Sequence, residues 1–72
     1  MINSDGKNII QSLKSKFENL DLDKRYDYLE SLGLPKFVVQ TVEINVSPEE
    51  SANNVYEYIS INAPEYLKLF PV

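Results

Sequence analysis

The sequence predicts an all-α fold, a small antiparallel bundle of about five helices forming one interaction-sized domain over residues 1–72. Three observations predict it. Apolar residues recur at spacings of three and four along most of the chain, the signature of helices with one buried face. Gly33-Leu34-Pro35 supplies a helix stop followed at once by a restart. Ser47-Pro48-Glu49-Glu50 spells a capped helix start. The connections between these signals are short, so consecutive helices should be neighbours.

The first helix should be capped by Ser4 or Asp5 and should bury Ile9, Ile10, Leu13, Phe17 and Leu20, leaving Lys7, Gln11, Lys14, Ser15 and Glu18 outside. Asn19-Leu20-Asp21 breaks it. Asp21 or Asp23 can start the second helix by accepting backbone N–H bonds, with Leu22, Tyr26, Leu29 and Leu32 as its buried stripe. Gly33 fits the position just past that helix, where a positive φ is needed and a Cβ would clash. Leu34 can then fold back onto the last turn.

Residues 37–46 permit two readings. With Pro35 as the first helical residue, a helix from Pro35 to Glu43 would bury Phe37, Val38, Thr41 and Val42. The β-branched density favours a strand instead. No second segment reads as a strand, and a lone strand leaves its backbone hydrogen bonds unmade. The helix followed by an extended Ile44–Val46 is therefore the expectation. Ser47 then caps the fourth helix, with Pro48 first and Glu50 third, and Ala52, Val55, Tyr56 and Ile59 turned inward. Pro64 disfavours helical geometry at Ala63 and should end that helix near Asn62. A last short helix should run from Pro64 through Tyr66, Leu67, Leu69 and Phe70, ended by Pro71.

Chemistry is sparse. Cysteine and histidine are both absent, which removes the thiolate nucleophile, the commonest general base and the commonest transition-metal ligand. Ser47 reads as a cap and not as a nucleophile. Asp21 and Asp23 are spaced as in some metal loops, but the glycine and terminal glutamate of a calcium loop are missing. Gly6 and Gly33 form no phosphate loop. The expectation is therefore a protein that is not an enzyme and uses no cofactor or metal. Met1 to Gly6 lacks the basic start and apolar stretch of a signal peptide, and no run approaches the ~20 apolar residues of a membrane span. A cytoplasmic location fits a chain without disulfides.

The net charge of −4 is unevenly placed. Residues 1–36 hold Lys7, Lys14, Lys16, Lys24, Arg25 and Lys36 against six acidic groups. Residues 37–72 hold Lys68 alone against Glu43, Glu49, Glu50, Glu57 and Glu65. This balance disfavours nucleic acid, and it leaves two readings open: a basic protein surface as partner, or a solvated acidic face that only aids solubility. Of the five tyrosines, Tyr26 and Tyr56 fall on expected core stripes, while Tyr28 and Tyr58 fall off them, and Tyr58 is a candidate interface anchor.

The run Tyr28-Leu29-Glu30-Ser31-Leu32-Gly33-Leu34-Pro35, then Phe37-Val38, then Val46-Ser47-Pro48-Glu49-Glu50-Ser51-Ala52 and Val55, resembles the bacterial effector-associated domains, a group of small death-like helical adaptors. The likeness implies a leucine-rich helix ending in a Gly-Leu-Pro turn, a short helix, an extended link and a long capped helix. It also implies an adaptor that joins a sensor to an effector in prokaryotic defence or signalling by pairing with a like domain, without catalytic residues. The charge split suggests how: Glu43, Glu49, Glu50, Glu57 and Tyr58 would meet a basic patch such as that of Lys14, Lys16, Lys24 and Arg25 on a partner or on another copy. The alternative is an acidic inhibitor or immunity-type protein that blocks a basic target. A phage-type regulator of a polymerase subunit is a third reading.

Overall fold

The computed structural model describes residues 3–70. They form a small all-α bundle: α1 (Asn3–Glu18), α2 (Leu22–Ser31), α3 (Lys36–Thr41), α4 (Pro48–Asn62) and a closing 3₁₀ helix, η1 (Pro64–Leu69). No strand occurs among the described residues, so the helical reading of residues 37–46 holds. The radius of gyration is 10.9 Å. The most extensive helix pair is α1 with α4, which are far apart in sequence. Among chain-adjacent pairs, α4 with η1 and α2 with α3 pack most extensively.

α1 buries Ile9, Leu13 and Phe17, three residues at a spacing of four. Full burial of side chains of this size contributes about 1.5–3 kcal/mol each. Gly6 lies on the same face, and a Cβ there would sit 2.6 Å from the Tyr56 hydroxyl, so the glycine admits the α4 ring close to the α1 backbone. α1 already contains Ser4 and Asp5, so neither is the cap expected of it.

α2 starts where expected, but the Asp21 side chain makes no capping bond. Its main-chain carbonyl accepts from Lys24 and Arg25 instead. Leu29 is buried and Leu32 partly so, while Leu22, expected inside, is 39% exposed. Arg25 lies on the stripe between Leu22 and Leu29 and takes the space beside Phe17, its guanidinium 5.5 Å from the ring centroid. Gly33 has φ +102°, the conformation its position demanded, and its N–H donates to the Glu30 carbonyl at 3.0 Å. Leu34 is buried with Leu29 in the core, as a fold-back requires.

α3 is shorter than expected. Pro35 caps it and is not its first helical residue, and it ends at Thr41 because Val42 is extended (ψ 137°). Its buried face is Val38, Val39 and Val42, and Phe37 and Thr41 are exposed. The rotation has a mechanical cause. Leu34 before the helix and Ile44 after it are both buried, so entry and exit set which face of so short a helix turns in.

α4 follows the sequence signals most closely. The Ser47 hydroxyl accepts from the Glu50 N–H at 3.2 Å, Pro48 opens the helix and Asn62 ends it. Ala52, Val55 and Ile59 are buried, and Tyr56 packs against them. The closing helix winds as 3₁₀ and seats Phe70 in the core. Pro71, expected to end it, lies outside the described residues.

Candidate functional site

The extended link from Val42 to Ser47 is fixed by a polar knot that the sequence did not announce. Arg25 Nη1 donates to the carbonyls of Ile44 at 3.1 Å and Val46 at 3.0 Å. It also reaches the Ser51 hydroxyl at 3.3 Å. Ser51 is fully buried, and its hydroxyl lies 3.1 Å from the Ile44 carbonyl, to which it donates. One side chain from α2 and one from α4 thus satisfy two link carbonyls that have no helix to serve them. Arg25 Nε is buried and makes no hydrogen bond. A third tether comes from Asn54, whose Nδ2 donates to the Glu43 carbonyl at 3.0 Å.

These tethers hold the link against α4 and leave a groove beside it. Its walls are Thr41, Val42 and Glu43 on one side and Asn54, Glu57, Tyr58, Ile61 and Asn62 on the other, around about 300 Å³. Glu43 and Glu57 are exposed, and Tyr58 is half-buried. Ile61 is 71% exposed, an apolar side chain offered to solvent. Phe37, 62% exposed, precedes Thr41 by four residues, which puts it on the same face of α3 one turn away. The groove therefore joins two carboxylates, a phenol ring and an exposed aliphatic side chain. A second concavity of about 360 Å³ lies between α1 and α4, lined by Ile10, Asn53, Tyr56, Glu57 and Ser60. Glu57 stands on the ridge between the two.

Of the acidic residues singled out from sequence, Glu43 and Glu57 come together here with Tyr58. Glu49 and Glu50 are exposed in the first turn of α4, where carboxylates favour the positive helix end. Glu50 nevertheless shares a face with Asn54, Glu57 and Ile61, at successive spacings of four, three and four, so an acidic stripe runs along α4 into the groove.

The basic candidates do not gather in the same way. Lys14 and Lys16 are two positions apart on α1, about 200° around the helix, and leave on opposite flanks. Lys16 lies over the Tyr28 ring, its Nζ 5.4 Å from the centroid. Tyr28 also packs half-buried against the core, and burial raises its hydroxyl pKa above the ordinary value. Lys24 is exposed on α2. Arg25, expected to face a partner, is engaged with the link carbonyls. Tyr26, Tyr28, Tyr56 and Tyr58 are all partly buried against the core, so the expected division into core and surface tyrosines is softer than the periodicity implied.

Sequence reasoning missed Ile61 and the outward turn of Phe37 and Thr41. For Ile61 a signal existed, since it is eleven residues after Glu50 and falls on the polar face of α4. Among the described residues no cluster of three metal-binding side chains occurs, and no helix is long and apolar enough to cross a membrane. No protein-family model, curated protein or solved structure matches the chain.

Proposed function

We propose that the chain is a protein-interaction domain, a death-like adaptor that couples a sensor to an effector in prokaryotic defence or signalling by docking a basic protein surface. The observation that carries this reading is the α3–α4 groove, which Glu43 and Glu57 line together with Tyr58 and the exposed Ile61. An isolated apolar side chain on a surface is ordinary. A ring and an aliphatic group framed by like charges, on a wall tied down by Arg25, Ser51 and Asn54, is an arrangement suited to an oppositely charged partner. Because the chain's own cations are dispersed, the complementary basic surface is assigned to a different chain, such as a like helical domain on an effector or sensor. Pairing of copies is the weaker mode. Nucleic acid is disfavoured by the acidic groove, and a cytoplasmic setting suits a chain with no cysteine.

The test is affinity capture from a lysate of the source organism, with the tagged wild type and with Glu43→Gln/Glu57→Gln/Ile61→Ser, at low and moderate salt. The expected result is a protein that carries a helical domain joined to a protease, TIR or NTPase module, lost with the triple variant. Retention of a single nuclease or toxin, silenced while bound, would replace this reading with the inhibitor.

A further inference from the structure

We infer that the α3–α4 groove is an arginine-anchor site: it accepts one arginine side chain of a partner protein, with an adjacent apolar residue of that partner covering Ile61 or Phe37. The inference rests on the interaction reading above and names the chemistry that fills the groove.

Size comes first. About 300 Å³ is the low end for a ligand pocket and too little for the face of a docked helix, which is ~10 Å across. It suits one long side chain. Charge comes second. Glu43 and Glu57 both line the groove, and no lysine or arginine is among its walls. A cation entering there meets two carboxylates and no competitor. Shape and surface chemistry come third. The half-buried Tyr58 ring and the exposed Ile61 offer apolar area to the stem of a long cationic side chain, which covers such surface while its head stays with the charges. Arginine suits this better than lysine. Its planar guanidinium stacks on aromatic faces and donates in a fork that matches carboxylates, whereas an ammonium is a compact, strongly hydrated charge. Arginine and tyrosine are also both enriched at the energetic centre of interfaces.

The site is preorganised on one side. The Asn54 amide holds the Glu43 carbonyl, and the Arg25–Ser51 knot holds the next residues of the link, so the Glu43 wall does not have to be ordered on binding. The first half of α4 is a built-in comparison. Glu49 and Glu50 bring the same charge but no groove wall, no ring and no exposed aliphatic group. If charge alone recruited the partner, both ends of α4 would serve equally.

The probe is the blocked pentapeptide acetyl-Gly-Leu-Arg-Leu-Gly-amide, titrated into the uniformly ¹⁵N-labelled full chain and followed by two-dimensional NMR. The expected shift changes centre on Thr41, Glu43, Asn54, Glu57, Tyr58 and Ile61. The same peptide with citrulline in place of arginine should leave these signals unmoved, and lysine in that place should bind more weakly. Glu57→Gln should weaken binding about fivefold, the upper range for one exposed charge pair, and Glu49→Gln/Glu50→Gln less than twofold. Shift changes centred on Glu49 and Glu50, equal response to citrulline, or no localised change would overturn the inference. So would concentration-dependent shifts at the same residues without peptide, with a dimer mass by sedimentation, since a second copy would then fill the groove. Loss of the natural partner on the triple substitution, with a silent peptide, would sink the arginine anchor and leave the adaptor reading standing.

Discussion

Arg25 is the residue on which the shape of the link depends. Its Nη1 serves the carbonyls of Ile44 and Val46 and touches Ser51, and its guanidinium covers Phe17. Arg25→Ala leaves two carbonyls to a single serine hydroxyl. The expected cost is about 2 kcal/mol, the scale of a lost hydrogen bond to a charged group with partly buried partners left behind. That is a large share of the stability of so small a domain. Arg25→Met keeps the stem and should recover only the packing part. A urea midpoint series on the two variants and on Ser51→Ala measures this. A change under about 0.5 kcal/mol for Arg25→Ala would show that the knot holds nothing.

Tyr28 gives a pH dependence with a definite sign. Burial raises its folded pKa above the unfolded value near 10. The unfolded chain therefore releases this proton first. The associated stability is fully present below the unfolded pKa and is lost as pH rises through the folded one. Absorbance titration should show one tyrosine ionising later than its ordinary range, and Tyr28→Phe should abolish that step. If the late step persists in Tyr28→Phe, the buried hydroxyl is another one.

At the scale of the element, legibility tracked how local the determinants are. α4 was readable almost to the residue because Ser47, Pro48 and Glu50 act within one turn of each other, and the Ser47–Glu50 bond is there. Gly33 was readable for the same reason, since only a glycine meets that positive φ without strain. α3 was readable as a helix but not as an oriented one. Six residues span less than two turns, so periodicity cannot choose between the Phe37–Thr41 face and the Val38–Val39–Val42 face. The choice is made by Leu34 and Ile44 on either side, through contacts with the rest of the core. Leu22 fails as a core residue on similar grounds, because Arg25 on the same stripe is drawn inward by carbonyls nineteen and twenty-one residues away. No spacing rule within α2 contains that information.

At the scale of the molecule, the charge split visible along the chain becomes a geometric statement on one side only. Part of the acidic half converges: Glu43 and Glu57 reach one groove from the link and from α4, lined also by Tyr58 and Ile61. The basic half disperses over two flanks of α1, the surface of α2 and the interior. Linear charge counting treats both halves alike, and only the tethering of the link to α4 brings Glu43 and Glu57 together. Half of the proposed docking surface was thus legible as residue types. Of its apolar component, Ile61 was legible from its register on the polar face of α4, whereas Phe37 was not, because it depends on which face of α3 turns outward.

The central claim is that this groove is where the protein meets its partner. Hydrogen–deuterium exchange on the complex with the captured partner tests it most directly, because backbone protection reads the contact surface without substitution. The account predicts new protection over residues 37–43 and 54–62, with the first turn of α4 and the outer face of α1 unchanged. Protection confined to α1 and α2, with the groove exchanging as in the free protein, would contradict it.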